Sequence, residues 1–348
     1  MTRALTVSID AMGGDAGPGT VVSALLKTIQ RHTDVNFILH GDEAQLKGIV
    51  ARQPKLAGRV AVRHAPGRVT MEDKPSYVLR RGKDTSMWHT INTVKTGAAD
   101  VAVSAGNTGA LMAVSMFGLG IIDGISRPAI AVIWPTLKGQ CVVLDVGANV
   151  SATEEQLVDF AVMGEAFAHV VFGLAKPTVG ILNVGAEEQK GHEGVRGASQ
   201  ILRESNLPMA FYGFVEGDDI SKGTVDVVVT DGFTGNIALK TAEGTARLVG
   251  SWLRQALRRS LFSKFGAVIA SGALNALKRK MDPRAQNGGV FLGLNGIVVK
   301  SHGSADAVGF ASAVDLAIDM ARADLNARIT ADRSAIAAES AGIRTSEI

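Results

Sequence analysis

The sequence predicts a doubly wound α/β fold around a mostly parallel sheet. Short runs of β-branched and aliphatic residues recur at 101–103, 142–144, 179–182, 225–229 and 297–299. Each run passes into a small polar loop: SAGN (104–107), DVGAN (145–149), NVGAEE (183–188), TDGFTGN (230–236) and KSHGS (300–304). Most of these loops lead into a stretch with helical spacing, and apolar runs alternating with helices read as βα units. In such a sheet every strand delivers its C-terminal loop to one edge. The five loops are therefore expected to line one crevice of backbone N–H groups and helix N-termini. Such a crevice suits an oxyanion, most simply phosphate.

The elements follow in order. SIDAMGGDAGPG (8–19) reads as a strand, a Gly-rich loop and a helix start, with Pro18 suited to the first turn. A strand is expected at 36–42, a helix near 43–52 and a strand near 59–64. Segment 66–83 is polar, carries Pro66 and Pro75, and reads as a loop reaching over the site. A helix is expected over 84–96, a strand–loop–helix unit over 101–122, and strands at 129–135 and 141–145. Stretch 154–174 has helical spacing with its acids in the first turn, where the macrodipole favours them. A helix over 304–327 closes a single catalytic domain of residues 1–330, and 331–348 reads as a frayed tail.

The 348 residues are 46% hydrophobic and 20% charged, ample for a large core. Forty glycines fall at strand ends rather than in a low-complexity block. The single cysteine, Cys141, excludes a disulfide framework and reads as a buried strand residue, though an acyl-carrying thiol stays open. The seven histidines show no metal-ligand spacing, and no cofactor is implied. The N-terminal apolar stretch stops at Asp10, too short for a signal core. The uncharged stretch 101–122 is broken by Asn107, Thr108 and glycines, so it reads as strand, loop and buried helix rather than a membrane span. A cytoplasmic protein, soluble or peripheral to the membrane, is expected.

Residues 244–281 differ from the rest. They contain eight bases and no acid. Since the whole chain is +3, the remainder is −5. Arg254, Arg258 and Arg259 alternate with apolar residues, among them Leu261, Phe262 and Phe265. Two helices are expected within 246–281, broken at Gly266 and joined at an apolar tip: a projecting basic amphipathic hairpin. That composition suits a lipid surface or a dimer contact. Nucleic-acid binding is disfavoured, because no stacking aromatics interleave the bases in a groove.

Seven strings resemble one family: DAMGGD (10–15), VSAGNTGAL (103–111), RPAIA (127–131), LDVGAN (144–149), LNVGAEEQKG (182–191), DGFTGNIALKTAEG (231–244) and GLNGIVVKSHGSAD (293–306). They run in order through nearly the whole chain. The chain resembles the bacterial phosphate acyltransferases of the PlsX type. One departure is Thr85, where the family is expected to carry serine; the hydroxyl survives. The resemblance implies a fold similar to phosphotransacetylases and isocitrate-type dehydrogenases. It implies transfer of a fatty acyl group from acyl carrier protein to inorganic phosphate, giving an acyl phosphate that a membrane acyltransferase uses for phospholipid synthesis. It also implies a homodimer associated peripherally with the membrane.

Phosphate is a competent nucleophile near neutral pH. It needs to be held beside the thioester by N–H donors and cations, and the tetrahedral oxyanion needs donors of its own. Gly106, Asn107 and Thr108 begin a helix and offer N–H groups, unless they serve only as a cap. Gly235 and Asn236 repeat that arrangement, with Asn236 taken as catalytic. Lys190 can neutralise phosphate or the oxyanion; the alternative is a solvated surface lysine. His302 can protonate the leaving thiol or bind phosphate, or be a turn histidine. Arg127 and Lys300 are further cations near loops. Asp10, Gly13, Gly14, Asp15 and Asn149 are expected to shape loops rather than touch an anion. The competing readings are a phosphotransacetylase for short-chain coenzyme A esters, a nicotinamide dehydrogenase, which would need a GxGxxG fingerprint absent here, and a non-enzymatic lipid-surface protein.

Overall fold

The computed structural model describes residues 4–205, 207, 209–280 and 287–333. Its strands are β1 (Thr6–Asp10), β2 (Asn36–Gly41), β3 (Val60–His64), β4 (Val101–Ser104), β5 (Ala129–Thr136), β6 (Gly139–Leu144), β7 (Thr178–Leu182), β8 (Ala210–Val215), β9 (Val227–Val229), β10 (Gly289–Leu292) and β11 (Ile297–Lys300). They form one sheet in the order β3-β2-β1-β4-β11-β10-β5-β6-β9-β7-β8.

Helices cover both faces, because side chains alternate along each strand. Val101 and Val103 face a core built with α1 (Gly17–Arg31), α6 (Glu154–Phe172), α7 (Glu193–Glu204) and α12 (Ala307–Arg322). Ala102 faces the other core, with α3 (Pro75–Arg81), α4 (Ser86–Lys95), α5 (Thr108–Leu119), α8 (Gly217–Lys222) and the first half of α9 (Gly232–Arg258). The doubly wound architecture therefore matches its expectation.

The single crevice does not. Strands β3, β2, β1, β4 and β11 are mutually parallel. The next junctions, β11–β10, β10–β5 and β5–β6, are antiparallel. Three reversals, an odd number, turn β6 against β11, and β9, β7 and β8 follow β6. The loops after β1, β4 and β11 thus leave one edge of the sheet, and those after β6, β9 and β7 leave the opposite edge. The five loops form two clusters.

Three local expectations also change. Segment 66–83 is not all loop: α3 begins at Pro75, whose fixed φ suits the first helical turn. The basic region holds three helices: α9, α10 (Leu261–Ile269) and α11 (Ser271–Lys280). Gly266 lies inside α10. The break falls at Arg259 and Ser260, and the Ser260 hydroxyl accepts from Ser263 N at 3.0 Å to start α10. Residues 331–333 are helical, and Arg333 pairs with Asp159 at 3.1 Å. The rest of the expected tail, 334–348, lies outside the described residues.

Candidate active site

The first cluster is built on Asp10, at the end of β1. Its carboxylate is buried and accepts from Ser86 Oγ at 2.6 Å, Ser104 Oγ at 2.7 Å and Met12 N at 3.3 Å. Burial pushes its pKa up, against the pull of these bonds. Asp10 thereby locks β1 to β4 and α4. Gly13 sits where a Cβ would come within 2.8 Å of Gly106 N, so the first Gly-rich loop and SAGN touch through backbone. Gly14, at φ +82°, lies against the Gly303 carbonyl, and Asp15 N donates to that carbonyl at 2.9 Å. Asp15 itself is exposed.

Asn107 is committed twice. Its Oδ1 accepts from Ala110 N at 3.0 Å and caps α5. Its Nδ2 donates to the carbonyls of Met71 at 2.8 Å and Asp73 at 3.1 Å, tying loop 70–73 over the cluster. Thr108 leads α5, and its own N–H and that of Gly109 have no partner within the helix. Lys300 ends β11, and its Nζ donates to the carbonyls of Ala105 (3.3 Å) and Ser301. Burial lowers its pKa to about 8. His302 N donates to Asn287 Oδ1 at 3.0 Å, and its Nδ1 lies 2.9 Å from Ser304 Oγ. Burial, then the charge of Lys240, lowers its pKa.

The second cluster is built on Asp145, at the end of β6. Its buried carboxylate accepts from the backbone N–H groups of Ile130, Gly147, Ala148 and Asn149 at 2.7–3.1 Å. It also accepts from Asn149 Nδ2 at 3.0 Å, and Asn149 Nδ2 bonds the Pro128 carbonyl at 2.8 Å. Arg127, exposed, therefore stands at this edge, where antiparallel β5 begins. Gly232 and Gly235 open α9 against this loop: a Cβ on Gly235 would stand 2.0 Å from the Asp145 carbonyl oxygen. Gly235 is thus required by packing. Asp231 caps the helix, accepting from Thr234 N at 2.9 Å.

Asn236 is exposed, and among the described residues its amide has no hydrogen-bond partner. It faces Gly147, whose φ of +134° favours glycine. Lys190, from the neighbouring β7 loop, is about half exposed and pairs with Glu187 at 2.9 Å. Its carbonyl accepts from Asn183 Nδ2 at 3.1 Å, which closes the loop on itself. The predicted residues therefore divide. Asp10, Gly13, Gly14, Asp15, Gly106, Asn107, Thr108, Lys300 and His302 lie at one edge; Arg127, Asn149, Lys190, Gly235 and Asn236 lie at the other. Asp145, the organiser of the second edge, was missed as a site residue. Its signal was the acid that ends an apolar run just ahead of a Gly–Ala–Asn turn.

Cys141 is fully buried, and burial pushes its thiol up to about 12, so the acyl-carrying thiol is withdrawn. Among the described residues no group of His, Cys, Asp or Glu is arranged to hold a metal, and no helix is long and apolar enough to cross a membrane.

In fold the chain is similar to a phosphotransacetylase from Streptococcus pyogenes (TM-score 0.62, 18% identity, 92% of this chain and 95% of that one). It is also similar to 4-hydroxythreonine-4-phosphate dehydrogenase from Klebsiella pneumoniae (TM-score 0.54, 14% identity, 92% and 100%). In sequence it is 56% identical over 333 residues to the phosphate acyltransferase of Parvibaculum lavamentivorans, covering 95% of this chain and 92% of that one. It is 58% identical over 330 residues to that of Xanthobacter autotrophicus, covering 94% and 93%. Residues 5–328 match the family described as fatty acid synthesis protein, and with these relatives the chain belongs to that family and is an acyltransferase of the PlsX type.

Proposed function

We propose that this protein transfers a fatty acyl group from the thioester of acyl carrier protein to inorganic phosphate, giving an acyl phosphate for phospholipid synthesis. The observation that carries this reading is the 56% identity over 95% of the chain to a phosphate acyltransferase. In the reaction a phosphate oxygen attacks the thioester carbonyl. The C–O bond forms, the C–S bond breaks, and the departing thiolate takes a proton. Asn236, whose amide has no hydrogen-bond partner among the described residues, and Lys190, half exposed in its pair with Glu187, supply donors to the oxyanion. The N–H groups of the first turn of α5, with Lys300 and His302, supply anion donors at the other cluster. Lys190 pairs with Glu187 at 2.9 Å, and a pair this exposed costs little to separate, which leaves the ammonium available to the oxyanion.

The arm α9–α11 supports peripheral association with anionic lipid on the cytoplasmic face of the membrane. No residue of α10 is buried, and its apolar side chains face outward. A homodimer, and hand-over of product to a membrane acyltransferase, fit the same reading.

The test is phosphate-dependent release of thiol from long-chain acyl carrier protein and from short-chain acyl coenzyme A. The expected result is turnover with the carrier protein, reduced at least tenfold (about 1.4 kcal/mol of transition-state stabilisation) in Lys190→Ala and Asn236→Ala at unchanged melting temperature. Turnover only with acetyl coenzyme A would replace this reading with that of a phosphotransacetylase.

A further inference from the structure

The polar segment over the first cluster carries charges that the acyl transfer itself does not use. Its ends are closed on each other: Gly67 N donates to the Asp84 carbonyl at 3.2 Å, and Ser86 N donates to the Gly67 carbonyl at 3.0 Å. Its tip is tied down by Asn107 Nδ2, which donates to the carbonyls of Met71 and Asp73. A Cβ at Gly109 would meet Pro75 Cγ at 3.1 Å, and one at Gly303 would meet Met71 Cε at 2.5 Å. The segment is therefore a closed strap, seated on the start of α5 and on the β11 loop at the rim of the first cluster. Val78 and Leu79 pack inward from α3, which fixes the side of that helix that faces solvent.

Residues 74–83 hold four bases, Lys74, Arg80, Arg81 and Lys83, and no acid. All four are exposed, and among the described residues none is in an ion pair. Other surface cations of the chain are paired: Lys47 has Glu43 at 2.6 Å, Lys222 has Asp218 at 2.7 Å and Arg322 has Asp34 at 2.6 Å. Over the whole strap, 67–85, five bases stand against three acids, a net charge of +2. The acids Glu72, Asp73 and Asp84 bound the basic run without interrupting it, and Asp73 is occupied by Thr70 N at 2.7 Å. Tyr77, Arg80 and Arg81 fall within about 100° of arc at 3.6 residues per turn, on the side of α3 away from Val78 and Leu79. Tyr77, 59% exposed, thus has an arginine on either side. A tyrosine ringed by arginines is the composition that protein interfaces favour. Met71 and Tyr77 are the large hydrophobic residues exposed on the strap, so it offers no apolar run to enter a bilayer as α10 does.

We infer that the outer face of α3, with Tyr77 at its centre and Lys74, Arg80, Arg81 and Lys83 around it, docks an acidic face of the protein that carries the acyl thioester. This rests on the carrier-protein reading of the donor. Unpaired cations on one exposed face attract an acidic surface and orient it before contact. Because the strap lies at the rim of the first cluster, a carrier seated there presents its thioester to the crevice while its own fold stays outside.

The test compares two donors of one acyl group: palmitoyl-loaded acyl carrier protein, and the palmitoyl thioester of N-acetylcysteamine, which brings no protein. The double reversal Arg80→Glu/Arg81→Glu is expected to raise KM for the loaded carrier about tenfold or more, with kcat held within about twofold. The effect is expected to vanish with the small thioester. Added salt should raise the wild-type KM for the carrier and affect the variant less, because the attraction is screened. The pair Lys74→Glu/Lys83→Glu, at residues flanking α3, repeats the measurement should the first variant melt early. An unchanged KM for the loaded carrier in both variants overturns the inference and leaves acyl transfer from the carrier standing. Unchanged KM with lost flotation on anionic vesicles makes the strap a lipid contact and overturns it too. An equal loss with both donors moves the arginines into the crevice chemistry, which again overturns it. A wild-type protein that accepts acyl coenzyme A but not the loaded carrier removes the carrier reading, and the inference with it.

Discussion

A Cβ at Gly235 would stand 2.0 Å from the Asp145 carbonyl oxygen and 2.9 Å from Thr230 Cγ2. Neither neighbour can give way, since one is backbone in a loop pinned by its own carboxylate. Gly235→Ala is therefore expected to destabilise the fold by about 3 kcal/mol, at the upper end of overpacking costs. Denaturant titration checks this; a loss below about 0.5 kcal/mol would show that the loop yields. The residue was expected to bind phosphate, because a glycine before an asparagine at a helix start looks the same in sequence whether it meets an anion or a carbonyl. Asn107 shows the same ambiguity. Its capping role was legible from local spacing, but its bonds to the carbonyls of residues 71 and 73 span more than 30 positions and leave no local mark. Lys190 and Asn236 could be proposed from sequence because strand-end loops concentrate function.

No residue of α10 is buried. Leu261, Phe262, Phe265, Val268 and Ile269 are 69–91% exposed, so they add nothing to the protein core. Seated in a lipid interface, each would gain up to about 1.5–3 kcal/mol on full burial. Replacing Phe262 and Phe265 together by aspartate is expected to lower binding to anionic vesicles at least tenfold in a flotation assay. Melting temperature and turnover in solution should stay unchanged. Retained flotation would mean that the arginines, not the apolar tip, make the contact; a fall in melting temperature would mean that the tip packs on protein. The basic amphipathic character of this region was plain in its composition. The position of the break was not: glycine is a weak helix former, yet Gly266 is carried inside α10 while the Ser260 hydroxyl starts the helix.

At the scale of the whole molecule, strand direction decides where chemistry can occur. The alternation of strands and helices was readable because period-2 and period-3.6 patterns are local. Direction is not local. β10 is only Gly289–Leu292, and nothing in those residues says that they run against both β11 and β5. That strand and the β5–β6 hairpin send three of the five expected loops to the opposite edge. The loops expected to line one crevice thus gather in two clusters, one organised by Asp10 and the other by Asp145. The central claim is that the anion becomes part of the product. The direct measurement is mass spectrometry after incubating the purified protein with palmitoyl-loaded acyl carrier protein and oxygen-18 orthophosphate. The account predicts palmitoyl phosphate retaining every labelled oxygen, including the one bridging carbon and phosphorus. Free palmitate in place of the mixed anhydride, at a rate indifferent to phosphate, would contradict it.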